Sequence, residues 1–376
     1  MTERGTANQD SLLAGVSAHY PEKTHYLGQV FNDTTNSYKL IWFLAILSLF
    51  RRTEAHTMPF ADIFTEMAVL AWHPVCLYRL SLGRQDKLQD AIRDIQHQSQ
   101  LPQNAAPDAI RNVLASSSCV QLDFIKNYVP ARFLSPWFAE ELRGERDSKR
   151  NGQIEDLSRQ SQRTSQACPY YFGAGSIEWN ESWRAFLIEN MGVVESFAEH
   201  HLALYLQARN PNVPGVVNKL RAPIERQLST ARKFWRFIRA NFEKSGQAHQ
   251  FRDIYSENPL GDNFAIDHFL PWSFTVHDLL WNLTPVEPTT NSKKGDAVPD
   301  LALYIPRLAR LHFCAIGFAR SQPRLLEDYS DCFKQDPPSL LALGEEGFAS
   351  KYREVFVPQA QIAMNQGFQS GWKYRN

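Results

Sequence analysis

Residues 40–50, LIWFLAILSLF, are apolar almost without interruption around a helical wheel. A membrane-crossing helix needs about 20 such residues, so this shorter run reads as a buried helix inside a folded domain. Just before it, NDTTNS at 32–37 offers side-chain oxygens that can accept from the free backbone N–H groups of a helix start.

At 376 residues the chain exceeds one ordinary core, and a prior of roughly 150 residues per domain suggests two or three. Apolar content of 43%, charged content of 21% and nine tryptophans suffice to offset chain entropy, which argues against wholesale disorder. Forty Lys plus Arg balance forty Asp plus Glu, so no global positive field holds this chain on nucleic acid and any polyanion contact must be local. The five cysteines are widely spaced and form no C-x-x-C pair, which disfavours a disulfide framework or a zinc knuckle and fits a reducing cytoplasm. The opening MTERGTANQDSLLAG has no basic region leading into an apolar one, so neither an export signal nor a membrane partner is expected.

PFADIFTEMAVLAW and QDKLQDAIRDIQHQ read as helices, and VPARFLSPWF at 129–138 punctuates a helical N-terminal domain spanning 1–143. Residues 144–165, GERDSKRNGQIEDLSRQSQRTS, offer only Ile154 and Leu157 as sizeable apolar groups, which reads as a mobile linker or long surface loop. Next, IEWNESWRAFLIENMGVVESFAEHHLALYLQARN predicts one or two amphipathic helices closed by PNVPG at 211–215. His200 and His201 within it diverge by about 100° on a helix, which suits surface or capping roles better than a metal pair.

In RAPIERQLSTARKFWRFIRANFEK the residues Ile224, Leu228, Ala231, Trp235, Ile238 and Phe242 recur at alternating spacings of four and three, one face of a helix. Other faces carry Arg226, Arg232, Lys233, Arg236, Arg239 and Lys244, and between Lys219 and Arg252 the only acids are Glu225 and Glu243. Such a basic stripe is either a solvated face or a surface that tracks phosphates, and both readings stand. After Pro299, LALYIPRLARLHFCAIGFARSQ and 340–366 read as helices. The chain is therefore expected to be mainly α, with one short β-capable island near 264–286.

That island, within AIDHFLPWSFTVHDLLWNLTPVEPTTNSKKGDAVPD at 265–300, reads as strand, loop, second strand and a Thr-Thr-Asn-Ser helix start, a β-β-α unit. It holds what metal-dependent phosphodiester cleavage needs. His268 can accept a proton near neutral pH, Asp267 supplies a carboxylate and Asn291 an amide oxygen for a hard cation, and Lys293 and Lys294 can meet phosphate. Two protein ligands suffice for Mg²⁺, which usually keeps waters and takes other oxygens from its substrate.

The order D-H-x-x-P-x-S, an Asn fourteen residues after the His, then N-x-x-K-G-D, resembles the HNH family of ββα-metal endonucleases, and is especially similar to the HNH module of RNA-guided CRISPR effector nucleases. The resemblance covers about fifty residues and implies that His268 is the general base, that Asp267 and Asn291 hold Mg²⁺ (or Mn²⁺), and that Asn282 braces the histidine loop through backbone hydrogen bonds. The family's paired-cysteine braces have no counterpart here, so Trp272, Phe274 and Trp281 are expected to pack in their place.

The expected layout is 1–143 helical, 144–165 linker, 166–249 helical with the basic stripe, 250–310 the HNH module and 311–376 helical. Elsewhere NDTTNSYKLIWFLAIL, VPARFLSPWF and YLQARNPNVPGVVNKL are similar to helical regions of bacterial anti-phage defence HNH nucleases, the HNH effectors of Zorya systems among them. The implied function is nicking of double-stranded DNA, restrained until recruitment by other defence proteins or release of a covering segment. Arg232, Arg236, Arg239, Lys293 and Lys294 are its expected nucleic-acid contacts. A helical protein-interaction adaptor with a non-catalytic HNH-like unit, or an RNA-cleaving toxin of the same chemistry, are the alternatives.

Overall fold

The structure, a computed structural model, describes residues 13–32, 34–116, 119–162, 167–223 and 226–375. The chain is mainly α, with helices joined by short strands. It divides into two compact units, the first Met1–Pro211 with Val216–Pro223, the second Asn212–Gly215 with Ile224–Asn376. The five-part layout expected from composition gives way to this division, because the basic-stripe helix shares its core with the β-β-α unit rather than with the segment before it.

In the first unit the apolar run becomes the helix Tyr38–Phe50, of which every residue except Lys39 and Ser48 is buried. Helices Phe60–Trp72 and Met191–Arg209 cover it, and Trp42 meets the rings of Phe60, Phe64 and Tyr170. Its start shows no side-chain cap from the 32–37 cluster; instead Ser37, the last residue of that cluster, is tied to a distant acid. The Ser37 N–H and hydroxyl donate to Asp86 Oδ2 at 3.0 and 2.7 Å, while the same carboxylate's Oδ1 caps the helix Lys87–Ser99 through Leu88 N–H. Asp33 of that cluster lies outside the described residues.

The described residues of 144–165 do not form a linker. Asp147–Ser161 form a helix with Ile154, Ser158 and Ser161 buried on one face, while 163–165 lie outside the described residues. The composition looked unfoldable because two of these three core positions are serines. Each serine hydroxyl donates to a backbone carbonyl three residues back, Glu155 and Ser158 respectively at 2.8 Å, so its burial leaves no unpaired donor. Arg132 also ties the helix down through Asn151 and Asp147.

A three-stranded antiparallel sheet, β1 (Thr57–Pro59), β2 (Tyr170–Phe172) and β3 (Ser176–Trp179) in the order β1-β3-β2, adds a second β element to the single island expected. Strands of three and four residues are too short to display a two-residue period, and IEWNESW reads as the start of the following helix. That helix begins only at Glu181, with Asn180 as its cap.

In the second unit the helix Ser229–Lys244 turns Ala231, Phe234, Trp235, Ile238 and Phe242 into a core shared with helices Leu301–Ala319 and Gly344–Asn365. Ile224 lies outside the described residues and Leu228 is partly buried against this core. The β-β-α unit consists of β4 (Ala265–His268), antiparallel β5 (Leu283–Val286) and the helix Pro288–Lys294. Among the described residues, Phe60–Leu77 and Leu301–Ala319 are long and apolar enough to cross a membrane, and here both pack into the cores of their units.

Candidate active site

Strand β4 ends in Asp267 and His268, paired across to Thr284 and Leu283. Pro271 then stops the strand and starts the short helix Trp272–Thr275. Beyond it Val276 adopts φ +51, a left-handed conformation that costs a β-branched residue roughly 1–2 kcal/mol. The turn sends residues 277–279 back toward β4. Asn282 fastens the returning chain from inside: its Oδ1 accepts from Leu270 N–H at 2.9 Å, its Nδ2 donates to Leu270 O at 3.0 Å, and its own carbonyl accepts from Phe269 N–H at 2.8 Å. The two residues that follow the strand end, Phe269 and Leu270, are thereby held by the backbone and the fully buried side-chain amide of Asn282. Phe274 and Trp281 are buried nearby and Trp272 is half-buried under Arg226, 5.1 Å from the ring centroid.

The two candidate side chains, His268 and Asp267, take different partners. His268 Nε2 lies 2.8 Å from Asp278 Oδ1, and Asp278 Oδ2 accepts from Gln227 N–H at 2.8 Å. Burial acts to raise the Asp278 carboxyl, but the His268 hydrogen bond, the Gln227 N–H and the charge of Arg226 hold it below the ordinary carboxylate value. Asp267 accepts from Tyr255 OH at 2.8 Å on Oδ2 and from Lys294 Nζ at 3.1 Å on Oδ1. Burial and the neighbouring Asp267 charge push the Tyr255 phenol well above its usual value, which keeps it a neutral donor.

Lys294 also donates to the His268 carbonyl at 2.7 Å, and its side chain is wholly buried. It is therefore no surface contact for phosphate, and that expectation is corrected: the helix Pro288–Lys294 packs on β4 and directs its last residue into the fold. Lys293, by contrast, is exposed, with Nζ 3.2 Å from Arg375 O and over the Tyr374 ring. Arg232 and Arg236 are exposed on the Ser229–Lys244 helix, whereas Arg239 is half-buried and paired with Glu243 and Asp262. Of the other histidines weighed, His201 packs against Phe31 and Phe197 in the first unit, and His277 lies against Trp281.

Asn291 stands three residues before Lys294, hence on the same side of that helix, and it is half-buried. Its amide oxygen and the Asp267 carboxylate are hard donors of the type Mg²⁺ or Mn²⁺ takes. Among the described residues no three His, Cys, Asp or Glu side chains gather for a metal, so an ion held here would complete its shell with water and substrate oxygens. The ammonium of Lys294 marks the Asp267 carboxylate as a place that already draws a cation. The donor chemistry fits such an ion.

Sequence reasoning passed over Asp278, Tyr255 and Asp253. Asp253 is buried and accepts from Glu287 N–H at 2.9 Å and Tyr255 N–H at 2.8 Å, which joins the segment before β4 to the helix after β5. The adjacent His277-Asp278 pair in the loop was a visible signal for one of the three, while Tyr255 and Asp253 sit upstream in a stretch with no motif.

This arrangement, a ββα unit with a histidine and an acid at the end of its first strand and an amide on its helix, is similar to the module of HNH endonucleases. The family model described as HNH endonuclease matches residues 245–300, which include β4, β5 and the helix between Pro288 and Lys294. No curated protein and no solved structure matches the chain.

Proposed function

We propose that this protein is a metal-dependent HNH endonuclease that hydrolyses DNA phosphodiester bonds, one strand at a time. The observation that carries the reading is the end of β4, where His268 is held by a carboxylate at 2.8 Å beside an Asp267 that shares its surroundings with the Asn291 helix. His268 accepts the proton of an attacking water, Asn282 fixes the backbone behind it, and Asp267 with Asn291 would hold Mg²⁺ or Mn²⁺. When bound, such an ion neutralises charge on the phosphate and on the departing 3′-oxygen, which would leave 5′-phosphate and 3′-hydroxyl ends. A single such site cuts a single strand, so nicking is the elementary event.

The balanced charge of the chain supports restraint, because weak non-specific DNA affinity spares the host chromosome. We place the protein in the cytoplasm, in bacterial restriction or anti-phage defence, with cleavage awaiting other defence proteins. Asp147–Ser161, within the apolar-poor 144–165 stretch, is a packed helix, so this stretch is no candidate for a covering segment that must be released. The test is nicking of supercoiled plasmid with Mg²⁺ or Mn²⁺ by the wild type and by His268→Ala and Asn291→Ala. Both variants should be inactive while melting close to the wild type, and plasmid nicking undiminished in His268→Ala would refute the assignment. Cleavage of RNA but not plasmid would make it an RNA-directed enzyme of the same chemistry. No cleavage of either, with Asp267 satisfied by Tyr255 and Lys294 alone, would favour the adaptor.

A further inference from the structure

A histidine that serves as a general base has two ring nitrogens, and only the one without a proton can do the work. Here the choice is made by the neighbours. Asp278 presents two oxygens, and both are used: Oδ2 accepts from Gln227 N–H at 2.8 Å and Oδ1 faces His268 Nε2 at 2.8 Å. An ionised carboxylate can only accept, so the ring nitrogen facing it must be the N–H donor. The neutral ring then carries its proton on Nε2 and its lone pair on Nδ1, and among the described residues no hydrogen bond occupies Nδ1.

Asp278 is itself held from both sides of its loop. Upstream, the left-handed turn at Val276 reverses the chain. Downstream, Leu280 N–H donates to Asp328 Oδ2 at 2.8 Å, and Asn282 is stitched to Leu270. Arg226 contributes a positive charge on the same side, with its guanidinium stacked over Trp272. A carboxylate on a loop pinned at both ends, with one oxygen taken by the Gln227 N–H and the other facing an imidazole, is a device for orienting that imidazole rather than a chance surface pair.

We propose that Asp278 is the positioning residue of the catalytic histidine: it fixes the His268 ring with the proton on Nε2, so that Nδ1 is the atom that takes the proton from water. The inference rests on the nuclease reading for its consequence but not for its geometry. The Asp278→Asn substitution keeps size and loses charge. Its side chain can present an N–H to Nε2, which favours the opposite tautomer.

The experiment uses the full chain with ¹⁵N-labelled histidine, free of metal, at alkaline pH, raised until the His268 nitrogen shifts no longer change. Two-bond ¹H–¹⁵N spectra distinguish the tautomers, and His268→Gln identifies the His268 signals. The wild type should show the Nε2–H form. Asp278→Asn should shift it toward Nδ1–H and lower the plasmid-nicking rate on the order of 100-fold, with KM for DNA and the melting temperature little changed, and Asp278→Glu should restore part of the rate. An Nδ1–H wild type, or an Asp278→Asn variant that nicks as fast as the wild type, overturns the proposal. If wild type and His268→Ala are equally inert on nucleic acid, the nuclease reading fails, while the tautomer spectra still decide whether Asp278 orients the ring.

Discussion

Lys294 and Asp267 form a buried ion pair inside the β-β-α unit, Nζ to Oδ1 at 3.1 Å, with the lysine side chain completely shielded and the aspartate nearly so. The ammonium neutralises the carboxylate that a divalent ion would use, and its second bond, to the His268 carbonyl, ties the helix to the strand end. A lysine that completes the fold thus also stands at the oxygen where a metal would compete with it.

Replacing Lys294 with Met should therefore destabilise the second unit strongly, because it leaves Asp267 buried with Tyr255 as its remaining partner. The expected loss is about 3 kcal/mol or more. Millimolar Mn²⁺ should recover more melting temperature in Lys294→Met than in the wild type, since the ion then meets an unopposed carboxylate. Thermal denaturation with and without metal reads both effects, and equal metal responses would show that the two cations do not compete.

Asn282→Ala should separate bracing from chemistry. It strands the Leu270 N–H and C=O in a fully buried position and should cost about 2–3 kcal/mol in chemical denaturation, more than His268→Ala, whose lost partner Asp278 keeps its bond from Gln227. Asn282→Asp should do no better, because an ionised carboxylate cannot donate to Leu270 O. If Asn282→Ala melts like the wild type, the brace is not structural.

What the sequence displayed and what it hid follow from the range of the interactions. The apolar run 40–50 and the four-three spacing of Ala231, Trp235, Ile238 and Phe242 were legible because helical burial repeats locally. Asp267, His268, Asn282, Asn291 and the β-β-α order were legible because one short stretch carries them all. Hidden were partners brought in by the fold: Tyr255 reaches Asp267 from twelve residues upstream, and Gln227 meets Asp278 across 51 residues. The Asp147–Ser161 helix was hidden for a different reason, since buried serines that bond to their own helix look like solvent-facing ones in composition. Lys294 was read by its charge, and nothing in NSKKGD distinguishes the buried lysine from its exposed neighbour Lys293.

In the first unit, Glu66 gives a pH-dependent signature. It is buried, and although burial raises its carboxyl, hydrogen bonds from Arg111 and Ser48 and the charges of Arg111 and Arg52 bring it below the ordinary value of 4.5. A carboxylate whose pKa is lower folded than unfolded stabilises the fold above its unfolded value and loses that contribution as pH falls through the folded one. Glu66→Gln should accordingly cost about 2 kcal/mol at pH 7, with the gap to the wild type closing as the pH falls below the ordinary carboxylate value of 4.5. Melting curves across pH check the direction, and a gap that widened in acid would contradict it.

The basic helix Ser229–Lys244 offers arginines in two situations. Arg232 and Arg236 are exposed and form no ion pair among the described residues, whereas Arg239 is engaged by Glu243 and Asp262. If this face follows a nucleic-acid backbone, only the first two are free to replace counterions, and each should contribute about one unit to the slope of log affinity against log salt. Arg232→Gln and Arg236→Gln should lower that slope and weaken binding to all DNA sequences alike, while Arg239→Gln should leave it nearly unchanged, because its charge is already answered. Salt titrations of duplex binding, read by fluorescence anisotropy, separate the cases. A slope that stays the same in Arg232→Gln/Arg236→Gln means that this face is only solvated, and the nucleic acid must then be held elsewhere on the second unit.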